Sequence, residues 1–177
     1  MKRLSHLMNN LEILERLNSL FPTAGLTLDT SKPEPLILVS PLCLAAVASA
    51  IRDDSSFAFD SLMCLSGVEA ADSYQAVYHL YSRRHGHKCA LRCAAPKDHP
   101  VIPTVSHFWR TADWHEREAS DMFGIVFEGH PDPRRILCPD DWEGYPLRKD
   151  YKPQETWHDI SLISNLPIQE RPQGGGV

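Results

Sequence analysis

Tyr74-Gln75-Ala76-Val77-Tyr78-His79-Leu80-Tyr81-Ser82, then Arg83-Arg84-His85-Gly86-His87, then Lys88-Cys89-Ala90-Leu91-Arg92-Cys93-Ala94 is the stretch that decides the fold. Two arms of strand-forming residues flank a short polar segment that contains a glycine, which is the pattern of a β-hairpin. In the second arm Cys89, Leu91 and Cys93 share one face, and Lys88, Ala90 and Arg92 share the other. One face of the hairpin therefore meets a core. His85, His87, Cys89 and Cys93 together have the look of a soft-metal site. However, the histidines fall in the turn and the cysteines on a strand, so the reading is core thiols beside a solvated loop.

Upstream, Leu4, Leu7, Met8, Leu11, Leu14, Leu17 and Phe21 follow helical spacing, and Pro22 closes the run. Leu36-Ile37-Leu38-Val39 predicts a short buried strand. Ser40-Pro41 then supplies an N-cap and a first-turn proline for a helix reaching about Arg52. Asp53 to Ser56 is a loop, and Phe57 to Val68 holds another strand, with Gly67 marking a turn. Downstream, Pro100 and Pro103 take the chain out of the sheet. A helix from about Ala112 to Phe123 follows, with Gly124 suited to its C′ position. Helix, strand, helix, then strands with a hairpin predict an α+β fold: a two-layer domain with a mixed β-sheet packed by helices, plus an extended C-terminal tail.

The 177 residues suit one domain over 1–128, followed by a distinct segment over 129–177. Seven of the chain's 14 prolines lie between Gly129 and Gln173, where no periodicity persists. Yet this segment carries Ile136, Leu137, Trp142, Tyr145, Leu147, Tyr151 and Trp157, and a disordered tail would be poor in aromatics. The segment is expected to lie against its own domain or another protein. Gly174-Gly175-Gly176 reads as a frayed end.

A net charge of −5 gives no footprint for nucleic acid or an anionic membrane surface. No apolar run approaches the roughly 20 residues that span a bilayer, and the N-terminus lacks a signal peptide's apolar core, so the protein is expected to stay in the cytoplasm. The five cysteines form no C-x-x-C pair and are expected to be free thiols. No G-x-G-x-x-G, Walker A, H-E-x-x-H or G-x-S-x-G motif occurs.

The densest charge cluster is His115-Glu116-Arg117-Glu118-Ala119-Ser120-Asp121. His115, Glu118 and Asp121 stand three apart and share a helix face. With His130 they make one competing reading, a stand-alone metal-dependent enzyme. The simpler reading is an ion network, in which Arg134 and Arg135 fold back through the turn at Gly129, Pro131 and Pro133 toward Glu116, Glu118 and Asp121.

Here the residues become specific. Glu116-Arg117-Glu118, Asp121-Met122-Phe123-Gly124-Ile125, Phe127, Gly129-His130-Pro131-Asp132 and Arg134-Arg135-Ile136-Leu137 resemble the signature of the 30-kilodalton subunit family of NADH–quinone oxidoreductase, respiratory complex I. The likeness continues through Pro139-Asp140-Asp141-Trp142-Glu143-Gly144 and Tyr145-Pro146-Leu147-Arg148-Lys149-Asp150-Tyr151. Upstream, Leu65-Ser66-Gly67-Val68-Glu69 and Ala112-Asp113-Trp114 are similar to its strand-end and helix-entry motifs. Ser120 stands where the family usually has an aromatic, Pro133 replaces a common leucine, and Lys152 precedes Pro153 where the family often has tyrosine.

The resemblance implies a scaffold subunit of the peripheral arm of a proton-translocating complex, with no catalytic residue and no metal or cofactor of its own. FMN and iron–sulfur clusters would sit in other subunits. It implies docking through 129–177 on a quinone-site partner of the 49-kilodalton family and on neighbouring peripheral-arm proteins. The location would be the cytoplasmic side of the bacterial inner membrane, with the membrane reached only through the complex. The nearest alternative is the equivalent subunit of an energy-converting hydrogenase or formate hydrogenlyase-type complex.

Overall fold

The structure is a computed structural model and describes residues 7–161. The first six residues and 162–177, with the expected helix start at Leu4 and the glycine end, lie outside the described residues. In chain order the elements are α1 (Asn10–Leu20), β1 (Thr27–Asp29), β2 (Leu36–Val39), α2 (Pro41–Asp53), β3 (Ser61–Glu69), β4 (Ser73–Tyr81), β5 (Lys88–Pro96), β6 (Val101–Pro103), α3 (Thr111–Phe123) and β7 (Val126–Glu128), then β8 (Thr156–Trp157) and β9 (Ile160–Ser161) in the tail.

The hairpin that decides the fold is β4–β5, in register from Ser73 opposite Pro96 to Tyr81 opposite Lys88. It forms the centre of a five-stranded sheet of order β1-β2-β5-β4-β3. β2 and β5 run parallel and the other pairs antiparallel, so the sheet is mixed. Tyr74, Ala76, Tyr78 and Leu80 from β4 join Cys89, Leu91, Cys93 and Ala95 from β5 in one core. The helices bring Ile13, Leu14 and Leu17, then Leu44, Val47, Ala48 and Ile51, then Ala112 and Ala119 to the same core. Leu36, Val77 and Ala90 form a separate small cluster with Leu38, on the alternate positions of the same strands. The architecture is the expected two-layer α+β domain.

Several local readings are corrected. α1 begins at Asn10, because Asn9 and Glu12 close a capping box. Its buried stripe is Ile13, Leu14 and Leu17, while Leu7 and Leu11 are exposed. Ser40 has the extended conformation of an N-cap, but its side chain makes no capping bond. β3 starts only at Ser61. Phe57 and Phe59, read as strand residues, are loop side chains buried completely in the core. Gly67 is no turn residue, for it sits inside β3, where a Cβ would stand 2.7 Å from the Phe123 ring and 3.2 Å from Ala119. The turn lies beyond it, at Ala70–Ser73.

The histidine loop is exposed at Arg83, Arg84 and Gly86, as expected, but not at its second histidine. His87 is buried, and its Nε2 lies 2.7 Å from the Phe57 carbonyl. His85 Nε2 reaches the Ser55 carbonyl at 2.8 Å, so the pair pins the loop between α2 and β3. The prolines at 100 and 103 do carry the chain off the main sheet. Val101–Pro103 then pairs in parallel with Val126–Glu128. Those two strands bracket α3 and fix where the tail starts.

Candidate functional site

The signature residues converge on α3 and on the chain after it. α3 ends at Gly124, whose φ of 73° is the left-handed C-cap conformation. A Cβ there would also collide with the Arg148 guanidinium and come within 2.7 Å of the Tyr145 ring. Glycine is required both by the backbone and by the tail packed over it.

Asp121 points from the end of α3 into the tail and is almost fully buried. Its Oδ2 accepts the backbone N–H groups of Ile136, Leu137 and Cys138 at 3.1, 2.8 and 2.8 Å. Arg135 pairs with Oδ1 at 2.9 Å. Burial alone would raise this pKa, but the three N–H donors and the arginine outweigh it and hold the carboxyl below its ordinary value. Three consecutive amides around one oxygen form an anion nest supplied by the tail itself.

Glu116, five residues earlier, behaves oppositely. It is fully buried, accepts the Val105 N–H at 2.7 Å, and lies 2.5 Å from Thr104 Oγ1. Burial pushes its pKa up to about 7, against those two hydrogen bonds and helped by the neighbouring Asp113 carboxylate. The tail's contribution here is His130. The Asp132 N–H donates to His130 Nδ1 at 3.0 Å, so the neutral ring carries its proton on Nε2. Nε2 faces the Asp113 carbonyl at 3.2 Å, Asp113 Oδ1 at 3.4 Å and Glu116 Oε2 at 3.7 Å.

Arg117 lies between these two points. It donates through Nε to the Arg134 carbonyl at 3.0 Å and through Nη2 to the Arg135 carbonyl at 3.2 Å. The expectation that both Arg134 and Arg135 fold back on the α3 carboxylates is half corrected. Arg135 does so. Arg134 is exposed, and its ion pair among the described residues is with Asp132, at 2.7 and 2.8 Å. Two side chains on adjacent positions of an extended segment point opposite ways, so only one can face the helix.

Farther along, the Leu147 N–H donates to the Met122 carbonyl and Arg148 Nε to the Phe123 carbonyl, the latter at 2.7 Å. The Arg148 guanidinium is sandwiched between Tyr74 and Tyr145, at 4.7 and 4.3 Å from the ring centres. Glu69 at the end of β3 receives Lys97 on one oxygen and the Lys149 N–H on the other, both at 2.6 Å. Hydrogen bonding from Lys97, then from Lys149, holds its carboxyl below the usual range. Trp142 Nε1 donates to the Tyr151 hydroxyl, and Gly144, with φ near 80°, clears the Tyr151 ring. Phe123 packs toward Tyr74, Phe127 is buried, and Pro131, Leu137, Asp140 and Asp150 face outward. Gly129 makes the positive-φ turn into the tail, and Pro146 is half-buried in the 145–148 turn.

The four residues of the metal-enzyme reading do not come together. His115 and Glu118 line an open groove of about 320 Å³ with Cys64–Gly67, Met122 and Leu147. Asp121 is held in its nest, and His130 lies on Glu116. Thr104, Val105, Asp113, Tyr74 and Tyr145 are partners that sequence reasoning misses. Thr104, Val105 and Tyr74 sit far in sequence from the Glu116 and Arg148 they meet, and Asp113 and Tyr145 carry no local sign of which group they face. The five cysteines are free, and burial pushes Cys89 and Cys93 up to about 12.

The profile of the family described as respiratory-chain NADH dehydrogenase, 30 Kd subunit, matches residues 37–156. An NADH-quinone oxidoreductase subunit of Chloroherpeton thalassium is 54% identical over 119 residues, 66% of this chain and 50% of that protein. Its counterpart of the same name in Roseiflexus sp. is 38% identical over 146 residues, 81% of this chain and 84% of its own length. This chain thus spans about half the length of some relatives and most of others. A trypsin-resistant Nqo5 fragment superposes with a TM-score of 0.53 at 26% identity, covering 67% of this chain and 98% of the fragment. A chain of the membrane-bound sulfane sulfur reductase, an archaeal respiratory membrane complex, superposes at 0.65 and 22% identity over 80% of this chain and 85% of its own, a likeness of fold.

Proposed function

Because the chain belongs to the respiratory-chain NADH dehydrogenase 30 Kd subunit family, we propose that it is a non-redox scaffold in the peripheral arm of a proton-translocating NADH–quinone oxidoreductase. NADH oxidation, FMN and the iron–sulfur clusters belong to other subunits. This chain positions the quinone-site partner of the 49-kilodalton family and carries no cofactor.

One observation carries the reading. Glu69, Arg117, Asp121, Arg135 and Arg148 are engaged within the chain, tying α3 and the end of β3 to the segment that follows α3. Asp121 holds three tail amides, Arg117 two tail carbonyls, and Glu69 a fourth amide. With its backbone fixed in this way, the tail turns Leu137 and Leu147 outward, more than half exposed, beside the exposed Asp140, Lys149 and Asp150. A rim of apolar and charged groups on an ordered loop suits a protein partner. Among the described residues no helix is long and apolar enough to cross a membrane, which fits attachment through the complex.

The test is purification of the tagged chain from its own membranes with partners identified by mass. Recovery with a 49-kilodalton-family protein and NADH-module proteins supports the proposal. A chain purified alone with stoichiometric metal or a visible chromophore overturns it. A second reading is an equivalent subunit of an energy-converting hydrogenase or formate hydrogenlyase-type complex, with which the fold shared with the sulfane sulfur reductase chain is compatible. In that case the quinone-site partner is replaced by a hydrogenase-type one in the same preparation.

A further inference from the structure

We infer that Glu116 and His130 form a buried proton-binding site that latches the start of the tail onto α3 and releases it when the proton leaves. Such a latch would operate whichever complex the chain serves.

The geometry leaves the pair little choice. Glu116 is fully buried, and among the described residues its sole ion-pair candidate is His130. Arg117, next in sequence, turns its guanidinium away to the Arg134 and Arg135 carbonyls. The other groups facing the carboxyl cannot supply a compensating charge. They are the Thr104 hydroxyl and Val105 N–H at the end of β6, the Asp113 carboxylate one turn back on α3, and, from β4, the buried Tyr78 hydroxyl, which has no hydrogen-bond partner among the described residues. A buried carboxylate without a counter-ion is strongly disfavoured, so the neutral acid is the state this pocket suits. Its hydroxyl can donate to Thr104 Oγ1, which has Ser106 Oγ at 2.8 Å as its own acceptor.

His130 couples that proton to the tail. Its two ring nitrogens make the two bonds that hold the turn: Nδ1 accepts from the Asp132 N–H, and Nε2 donates to the Asp113 carbonyl. When Glu116 loses its proton to solvent, the neutral ring can swing its Nε2–H from the Asp113 carbonyl, past Asp113 Oδ1 at 3.4 Å, to the new carboxylate. The bond to the Asp113 carbonyl is then lost, and the turned ring no longer presents Nδ1 squarely to the Asp132 N–H. A narrow cleft of about 10 Å³, about one water in size, borders Glu116 and His130 and is lined also by Ser120 and Pro133.

The experiment is amide exchange by NMR on the full chain, corrected for the intrinsic pH dependence, with the amides of Leu137 and Cys138 in the Asp121 nest as an internal control. Protection of the Asp132 amide should fall about tenfold between roughly pH 6 and 8, while Leu137 and Cys138 hold. In Glu116→Gln the fall should vanish. A fall of the same size in that variant, or none in the wild type, overturns the inference. If the variant does not fold, carbon-13 titration of the Glu116 carboxyl in the wild-type chain decides alone. A midpoint near neutrality supports the latch, and one near the ordinary value of about 4 overturns it.

Discussion

The sheet layer and the seam between α3 and the tail are held together by different chemistry. In the core between the sheet and its helices, Ile37 and Leu91 of the sheet and Leu44 and Ile51 of α2 are buried, and stability follows apolar area removed from water. In the seam, charged side chains on the domain grip the backbone of the tail: Asp121 and Glu69 take amides, Arg117 takes carbonyls, and the tail's Arg148 grips the Phe123 carbonyl in return. A hydrophobic face needs periodic side chains on both partners. A backbone clasp needs a charge at one fixed place and almost nothing of the tail's side chains. That is how a proline-rich segment without periodicity can be ordered over 130–151.

The contrast is sharpest where a core side chain is removed. Leu91→Ala should cost about 2–5 kcal/mol and lower the urea midpoint of the whole domain, with the seam lost only as everything unfolds. Asp121→Ala should cost about 3 kcal/mol, the low end for breaking a buried pair, because Arg135 regains water. Its signature should be local: the tail becomes a protease target near Ile136–Cys138 while amide protection in β4 and β5 persists. If both variants unfold the chain in one step, the two regions are a single cooperative unit and the contrast fails.

The same two regions explain what the sequence can reveal. Strand β2, helix α2, the β4–β5 hairpin and α3 follow from periodicity, a first-turn proline and a C′ glycine, all local signals. β1 is invisible because three residues carry no period, and its tie to β5 is a side-chain bond from Arg92 to Asp29. Gly67 resembles a turn residue because glycine usually marks one, whereas here it makes room for Phe123, distant in sequence. In the seam, the charges are legible as a group, but not which one pairs with which. That pairing is set by turns such as Gly129, and it decides between Arg134 and Arg135.

Proton linkage gives a smaller effect and separates the two carboxylates of α3. Asp121 titrates below its ordinary value, so its contribution is fully present above the unfolded pKa of about 3.9 and disappears as pH falls through the folded one. Glu116, raised to about 7, contributes fully below its unfolded value and loses that contribution as pH rises through about 7. Acidification from neutral should therefore tighten the His130 end of the seam first and loosen the Ile136–Cys138 end only below about pH 4. Amide exchange followed residue by residue would show the two ends moving in opposite directions. Parallel loss at both ends would mean that the seam responds to net charge alone.

Arg148→Ala should cost about 1–2 kcal/mol, since it removes a stacked cation and a hydrogen bond to the Phe123 carbonyl but leaves the Asp121 nest intact. Arg148→Lys should recover little of this, because an ammonium cannot lie flat between Tyr74 and Tyr145. Thermal melts of the two variants, set against the wild type, check both statements.

The smallest expected effect is at Arg134, and it tests the comparison most sharply. Arg134 and Arg135 are neighbours of identical chemistry, and nothing local in the sequence ranks them. The structure does: Arg135 meets a buried carboxylate, whereas Arg134 meets Asp132 at the surface. An exposed pair is typically worth about 0–1 kcal/mol, so Arg134→Ala should change the urea midpoint barely at all and leave the Leu137 and Cys138 amides protected. Its carbonyl, the atom that Arg117 holds, survives the substitution. Arg135→Ala should behave as a milder Asp121→Ala, with exposure of those same amides. Equal effects from the two alanines would show that the tail is held by its overall positive charge, and the idea of a clasp built from individual side-chain-to-backbone bonds would have to be given up.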